Sequence, residues 1–331
     1  MLTKLLQSRD WLLADGATGT NLFAMGLTSG EAPELWNEQH PDRIRRLHQD
    51  FVDAGADIIL TNSFGGTSRR LMLHNAHTRV GTLNRLAGQH ARTVADAADR
   101  PVVVAGSVGP TGDLFAPLGS LTEAEAVEVF VEQMEGLKAG GVDVLWIETM
   151  SAVEEMRAAA LAATKVGLPY TVTASFDTAG RTMMGITPDA MARATTGFVP
   201  APHGIGCNCG VGASDLLVSV LGITATVPDT VVIAKANCGI PQVRGGSIDY
   251  SGTPDLMADY ARLACDSGAR IIGGCCGTSP AHLLAMRRAL HTHQRGARPD
   301  TATLVARLGA LAAPPAKDGA APRRNRRREG A

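Results

Sequence analysis

Cys275 and Cys276 stand side by side in Ile-Ile-Gly-Gly-Cys-Cys-Gly-Thr-Ser-Pro, residues 271–280. Neighbours in an extended strand point to opposite faces. Adjacent thiols can therefore reach one common target only where the strand has ended and the backbone turns. Gly273, Gly274 and Gly277 permit such a turn, because glycine enters positive φ without a Cβ clash. Cys207 and Cys209 lie in His-Gly-Ile-Gly-Cys-Asn-Cys, residues 203–209, and a third thiol from either position would complete a three-sulfur set. Zn2+ takes thiolates in tetrahedral geometry, and three protein ligands leave a fourth place for substrate. The spacing is no zinc-finger signature, since no Cys-x-x-Cys pair is present. On local chemistry alone, buried free cysteines and a redox-active vicinal pair stand beside metal binding as readings. Cys265 falls inside a helical pattern and reads as a small buried hydrophobe.

The elements that must position these thiols alternate along the chain. Short apolar runs near Leu13, from Asp57, Pro101, Val142, Pro169, His203, Thr230 and Ala269 read as strands. Between them lie helical patterns. In residues 41–56, for example, Ile44, Leu47, Phe51 and Val52 recur at helical spacing and Gly55 supplies the stop. Continuous apolar strands imply burial on both faces, hence a parallel sheet. Eight strand–helix units fit a (β/α)8 TIM barrel better than an open doubly wound sheet. The barrel is expected over residues 1–297. Residues 298–331 read as an Ala/Pro/Arg-rich tail, largely disordered, with a short helix over 301–312. Arg323, Arg324, Arg326, Arg327 and Arg328 read as a solvated tail, with an acidic partner as the alternative.

In such a barrel the reactive residues sit at the C-terminal ends of the strands. Those ends carry Asp15, Asn62, the Gly-Ser-Val-Gly-Pro-Thr-Gly loop from Gly106, Glu148, Cys207, Cys209, Asn237, Cys275 and Cys276. The loop from Gly106 lacks the Walker lysine and the dinucleotide spacing; it reads as a rim loop near substrate that offers backbone amides. The formal net charge of −1 gives no bias toward nucleic acid or membrane. Arg9 and Asp10 interrupt the N-terminal apolar run before a signal-peptide core can form. No apolar run reaches the roughly 18 residues needed to span a bilayer. A cytoplasmic protein is expected, in which six cysteines are not a disulfide framework.

"DGATGT", "AGADIILTNSFGGT", "GSVGPTG", "GIGCNCG" and "GGCCGT" occur in this order. In that order they resemble the homocysteine S-methyltransferase family, over about residues 10 to 292. The family includes betaine-homocysteine methyltransferase, S-methylmethionine-dependent enzymes and the homocysteine domain of cobalamin-dependent methionine synthase. The resemblance implies a Zn2+ centre held by Cys209, Cys275 and Cys276, with Cys207 at a variable position. It also implies that Asp15 with Gly16, and Glu148, hold the substrate's amino-acid end. Asn237 matches an asparagine that approaches zinc in methionine synthase relatives when substrate is absent. Cys238 departs from the alanine of those relatives.

The activity so implied is methyl transfer to homocysteine, giving methionine. Zinc deprotonates a bound thiol, so the sulfur attacks the donor methyl in line and no histidine is needed as a base. Betaine is a quaternary ammonium, usually held by aromatic faces. Phe64 is present, and Trp36 is a second candidate to face the site. Gly65, Thr149 and Met150 stand where betaine-using relatives offer rings. A separate methyl-corrinoid protein is the favoured donor, with betaine and then S-methylmethionine as alternatives. Folate, cobalamin and reactivation domains are not expected within a chain of this length. Readings of another class are a non-catalytic zinc-binding regulatory subunit and a thiol redox enzyme using Cys275 and Cys276. Oligomeric state is left open.

Overall fold

The computed structural model describes residues 1–239, 241–244 and 247–312; the arginine-rich segment of the tail lies outside them. Eight parallel strands form the barrel: β1 (Leu12–Leu13), β2 (Ile58–Leu60), β3 (Val103–Val108), β4 (Val144–Met150), β5 (Tyr170–Ala174), β6 (Ile205–Cys209), β7 (Val232–Ala236) and β10 (Ala269–Gly274). Between β7 and β10 comes an antiparallel hairpin, β8 (Pro241–Arg244) and β9 (Ser247–Tyr250), which the sequence reading did not anticipate. The strand β1 pairs with β10 in register Leu12–Ile271. The ring closes between β1 and β2 through the Ala14–Ile58 bridge and the Asp57 N–H to Leu13 carbonyl bond of 2.7 Å.

Alternation along each strand builds two cores. Leu12, Ile58, Val103, Val144 and Trp146 face the barrel interior, where Leu2, Leu5 and Leu6 of the helix Leu2–Ser8 join them. Leu13, Ile59, Val104 and Leu145 face outward against the helices. The helix Pro41–Asp53 buries Ile44, Leu47, Phe51 and Val52, the stripe read from the sequence, and the chain leaves it through Gly55 at φ +102°. The helix Thr301–Leu308 buries Leu304 and Leu308, and Arg307 pairs with Asp259 at 2.7 Å, so this part of the tail is docked on the barrel. Among the described residues no helix is long and apolar enough to cross a membrane.

Candidate metal centre and substrate pocket

Three thiols converge at the C-terminal mouth of the barrel. The sulfurs of Cys209, Cys275 and Cys276 lie within 4.8 Å of one another, and Cys209 Sγ to Cys276 Sγ is 4.0 Å. The strand β10 ends at Gly274, just before the pair. The Cys275 N–H still donates to Ala236 O at 2.7 Å; then the chain turns, with Gly277 at φ +79°. Gly277 is required sterically as well, because a Cβ there would lie 2.3 Å from Cγ of Tyr250. Cys209 itself adopts φ +63°, a conformation uncommon for residues other than glycine and found at functional turns. Alternation separates the two cysteines of β6. Cys207 points outward and donates to Leu216 O at 3.7 Å, whereas Cys209 turns in over the barrel mouth.

Each sulfur has a polar side chain beside it. Asn208 Nδ2 is 3.8 Å from Cys275 Sγ. Asn237 acts to lower the Cys209 thiol and Tyr250 to lower that of Cys276. Asn237 also braces the backbone of both cysteine loops: its Nδ2 donates to Gly210 O at 2.7 Å and its Oδ1 accepts from Cys276 N at 3.0 Å. For Cys209 the hydrogen bond with Cys275 acts downward, but that with Cys276 and burial outweigh it and push the thiol up to about 12. For Cys276 the bond with Cys209 acts downward, and Cys275 together with burial pushes it up to about 12. Three clustered thiols cannot all ionise unless a cation joins them.

Beneath the thiols lies a charged floor. Asp15 Oδ1 is 2.6 Å from Lys235 Nζ, and Asp15 Oδ2 accepts the Leu60 N–H at 2.7 Å. Burial opposes the Lys235 charge, yet Asp15 and Glu148 outweigh it and hold the ammonium above the ordinary lysine value. Glu148 Oε1 accepts from Ser107 Oγ at 2.6 Å. Burial pushes the Glu148 carboxyl up, with Lys235 and Ser107 pulling it partly back. Asn208 knits this layer together. Its Oδ1 accepts from Thr149 N at 2.8 Å and Thr173 Oγ1 at 2.7 Å, while its Nδ2 donates to Thr149 Oγ1 at 2.7 Å. Thr149 sits at φ +60°, a strained value for a β-branched residue. Gly16 lets the loop after β1 press onto the thiol loop, since a Cβ there would lie 2.6 Å from Thr278 O.

The remaining rim residues serve the scaffold. Asn62 Nδ2 donates to Pro33 O and Asn37 Oδ1. In the loop from Gly106, Thr111 gives both its N–H and its hydroxyl to Glu155, at 2.8 and 2.7 Å, so this amide is not free for a ligand. Trp36 is buried against His40 and Arg43. Lys235, Asn208 and Tyr250 were not singled out from the sequence. A lysine inside the apolar run Val-Val-Ile-Ala-Lys-Ala was the available signal, since lysine is almost never fully buried unless paired.

Residues 12–290 match the homocysteine S-methyltransferase family. The chain is 30% identical over 306 residues to a methionine synthase of Mycobacterium tuberculosis, covering 87% of this chain and 25% of that protein. It is 29% identical to a methionine synthase of Mycobacterium leprae, covering 82% and 24%. It therefore spans about a quarter of the length of these relatives. Its fold superposes on the homocysteine methyltransferase MmuM of Escherichia coli, metallated form, with TM-score 0.70, 26% identity, and coverage of 87% of this chain and 99% of that one. With the thiol triad at the mouth of a barrel of this kind, the chain belongs to the homocysteine S-methyltransferase family.

Proposed function

We propose that this protein is a zinc-dependent homocysteine S-methyltransferase that makes methionine. The observation that carries the reading is the convergence of Cys209, Cys275 and Cys276 at the barrel mouth. Tetrahedral Zn–S bonds of about 2.3 Å require sulfurs about 3.8 Å apart, which the 4.0 Å between Cys209 and Cys276 nearly meets. Bound there, zinc supplies an electrophile that keeps a substrate thiol ionised and nucleophilic at neutral pH. Cys209, Cys275 and Cys276 hold it, and Asn237 holds the two loops that carry them. The amino-acid end of homocysteine lies over Asp15, Gly16 and Glu148, the expected anchors, so that its sulfur reaches the thiol cluster. The protein's work is then binding and orientation.

Truncating Asn237 to alanine leaves the cysteines in place but frees their loops. Outer-shell changes of this kind typically weaken metal affinity roughly 10–100-fold. A competition titration with a chelator checks this; affinity equal to wild type would remove Asn237 from the design.

For the donor we favour a methyl group carried on a corrinoid protein. Phe64 after β2, Leu114 and Leu118 after β3, and Met183 and Met184 after β5 are exposed on the rim loops. Large apolar side chains around the mouth suit a broad partner surface. The methionine synthases are about four times as long as the matched region. The second reading, a small donor such as betaine or S-methylmethionine, is favoured by the near-complete coverage of the Escherichia coli enzyme. Supplying zinc, homocysteine and each donor in turn separates the two. Turnover with a methylated corrinoid protein, and at most slow turnover with betaine or S-methylmethionine, is expected. Brisk turnover with a small donor alone would overturn the preference.

A further inference from the structure

We infer that residues 292–312 form a strap that positions the metal centre: it carries the chain from the end of the barrel opposite the mouth back to the mouth, and there holds the first turn of the helix that follows Cys209. The inference rests on the proposed zinc site and adds to it a support that lies beyond residues 12–290, the part that matches the family. The helix Pro280–His291 descends from the thiol loop, and its Arg287 meets Asp57 at 3.0 Å on the far side. There Asp266 Oδ1 takes His293 Nε2 at 2.8 Å and the Gly296 N–H at 2.7 Å. Arg298 then donates to Leu221 O, partway along the helix Ala213–Thr226. The helix Thr301–Leu308 lies against that helix and against the helix Pro254–Asp266, with Leu304 and Leu308 buried. At the mouth, Ser214 Oγ donates to Gly309 O at 2.7 Å, and Asp215 Oδ2 accepts from Ala312 N at 3.1 Å.

Cys209 needs such a support more than the other two cysteines do. It leaves β6 at φ +63°, and Gly210 follows at φ +74°. A Cβ on Gly210 would meet nothing within 4 Å, so glycine stands there for its backbone and not for space. Gly212, at the N-cap, has no side chain with which to cap the helix. The loop is therefore held from its two sides. Asn237 Nδ2 donates to Gly210 O at 2.7 Å on the inner side, and the first turn of the helix fixes the outer one. Asp215 and Leu216 line the same small hollow as Cys209, Gly210 and Val211. The strap thus acts on Cys209 through Ser214 and Asp215, which are positioning residues one step from the metal. Cys275 and Cys276 are held otherwise, their N–H groups donating to Ala236 O and Asn237 Oδ1. Loosening the strap therefore frees one ligand of the three.

Zinc affinity of the reduced full chain, read by competition with a chelator, tests this. The variant Leu304→Asp/Leu308→Asp lifts the strap helix from its groove and should weaken zinc binding roughly 10-fold, the lower end of what outer-shell changes cost. Asp215→Ala should weaken it to a similar degree. Asp215→Asn should stay within about threefold of wild type, because its amide oxygen still accepts the Ala312 N–H. Both Asp215 variants lose the same charge near a helix N-terminus, so only the hydrogen bond separates them. A role confined to stability would lower the melting temperature of the metal-free variants and leave the zinc affinity of the folded protein unchanged. Wild-type zinc affinity in the undocked variant, or equal affinities in the two Asp215 variants, would overturn the inference and leave the proposed function standing. A wild-type protein that takes up no zinc would overturn both. Should the undocked variant aggregate, the Asp215 pair decides.

Discussion

Replacing any one of Cys209, Cys275 and Cys276 by alanine is expected to remove zinc and methyl transfer together. Tight structural zinc sites bind with about 10–16 kcal/mol shared over four ligands, so one thiolate contributes a factor of roughly 10²–10³ in affinity. The loss should be specific. The three cysteines sit at the mouth, half-buried, outside both apolar cores. Thermal unfolding of the metal-free variants should therefore resemble that of metal-free wild type. Metal content, activity and melting curves on the same preparations check this. A redox enzyme built on Cys275 and Cys276 would instead keep its activity in the Cys209→Ala variant and without metal.

Substituting Asp57 by alanine should give the largest loss of stability. Asp57 lies at the N-terminal end of β2, fully buried, opposite the mouth. Its Oδ1 is 2.7 Å from Arg9 and 3.7 Å from Arg100, and its Oδ2 is 3.0 Å from Arg287 and 2.9 Å from the Leu13 N–H. One carboxylate thus ties together the N-terminal segment, the strand β1, the turn before β3 and the helix Pro280–His291 at the seam where the barrel closes. Removing it leaves three arginines without their acid and one strand amide without an acceptor. Breaking a buried pair costs about 3–5 kcal/mol. The arginines are a quarter to a third exposed and partly regain water, which favours the lower end. About 3 kcal/mol corresponds to a fall of roughly 4 °C in melting temperature for a 331-residue chain, at about 2.1 cal/mol/K of unfolding entropy per residue. Homocysteine affinity of the protein that remains folded should not change. A melting temperature within a degree of wild type would show that Asp57 does not hold the seam.

The barrel was legible because its strands are continuous apolar runs punctuated by amphipathic helices, a pattern that needs no knowledge of distant contacts. The stripe Ile44, Leu47, Phe51, Val52 is such a local signal, and the helix buries it as read. The thiol pair was legible because two adjacent cysteines among glycines have few structural uses. The choice between Cys207 and Cys209 was open on composition and came from family resemblance. The structure adds a physical reason, since alternation along β6 turns Cys207 toward the outer helix layer. The charged floor was hidden because it joins β1, β4 and β7, residues 15, 148 and 235, through contacts that no sequence window contains. Tyr250 was hidden for the same reason. It stands against Gly277, next to the thiol pair, only because the hairpin β8–β9, unforeseen in the sequence, delivers it there.

X-ray absorption at the zinc edge, recorded on the reduced, zinc-loaded protein with and without homocysteine, tests the central claim most directly. Three sulfur scatterers at about 2.3 Å are expected from the protein alone, rising to four when homocysteine is added. A centre with fewer than three sulfurs, a sulfur count unchanged by homocysteine, or a reduced protein that retains no zinc would contradict the account.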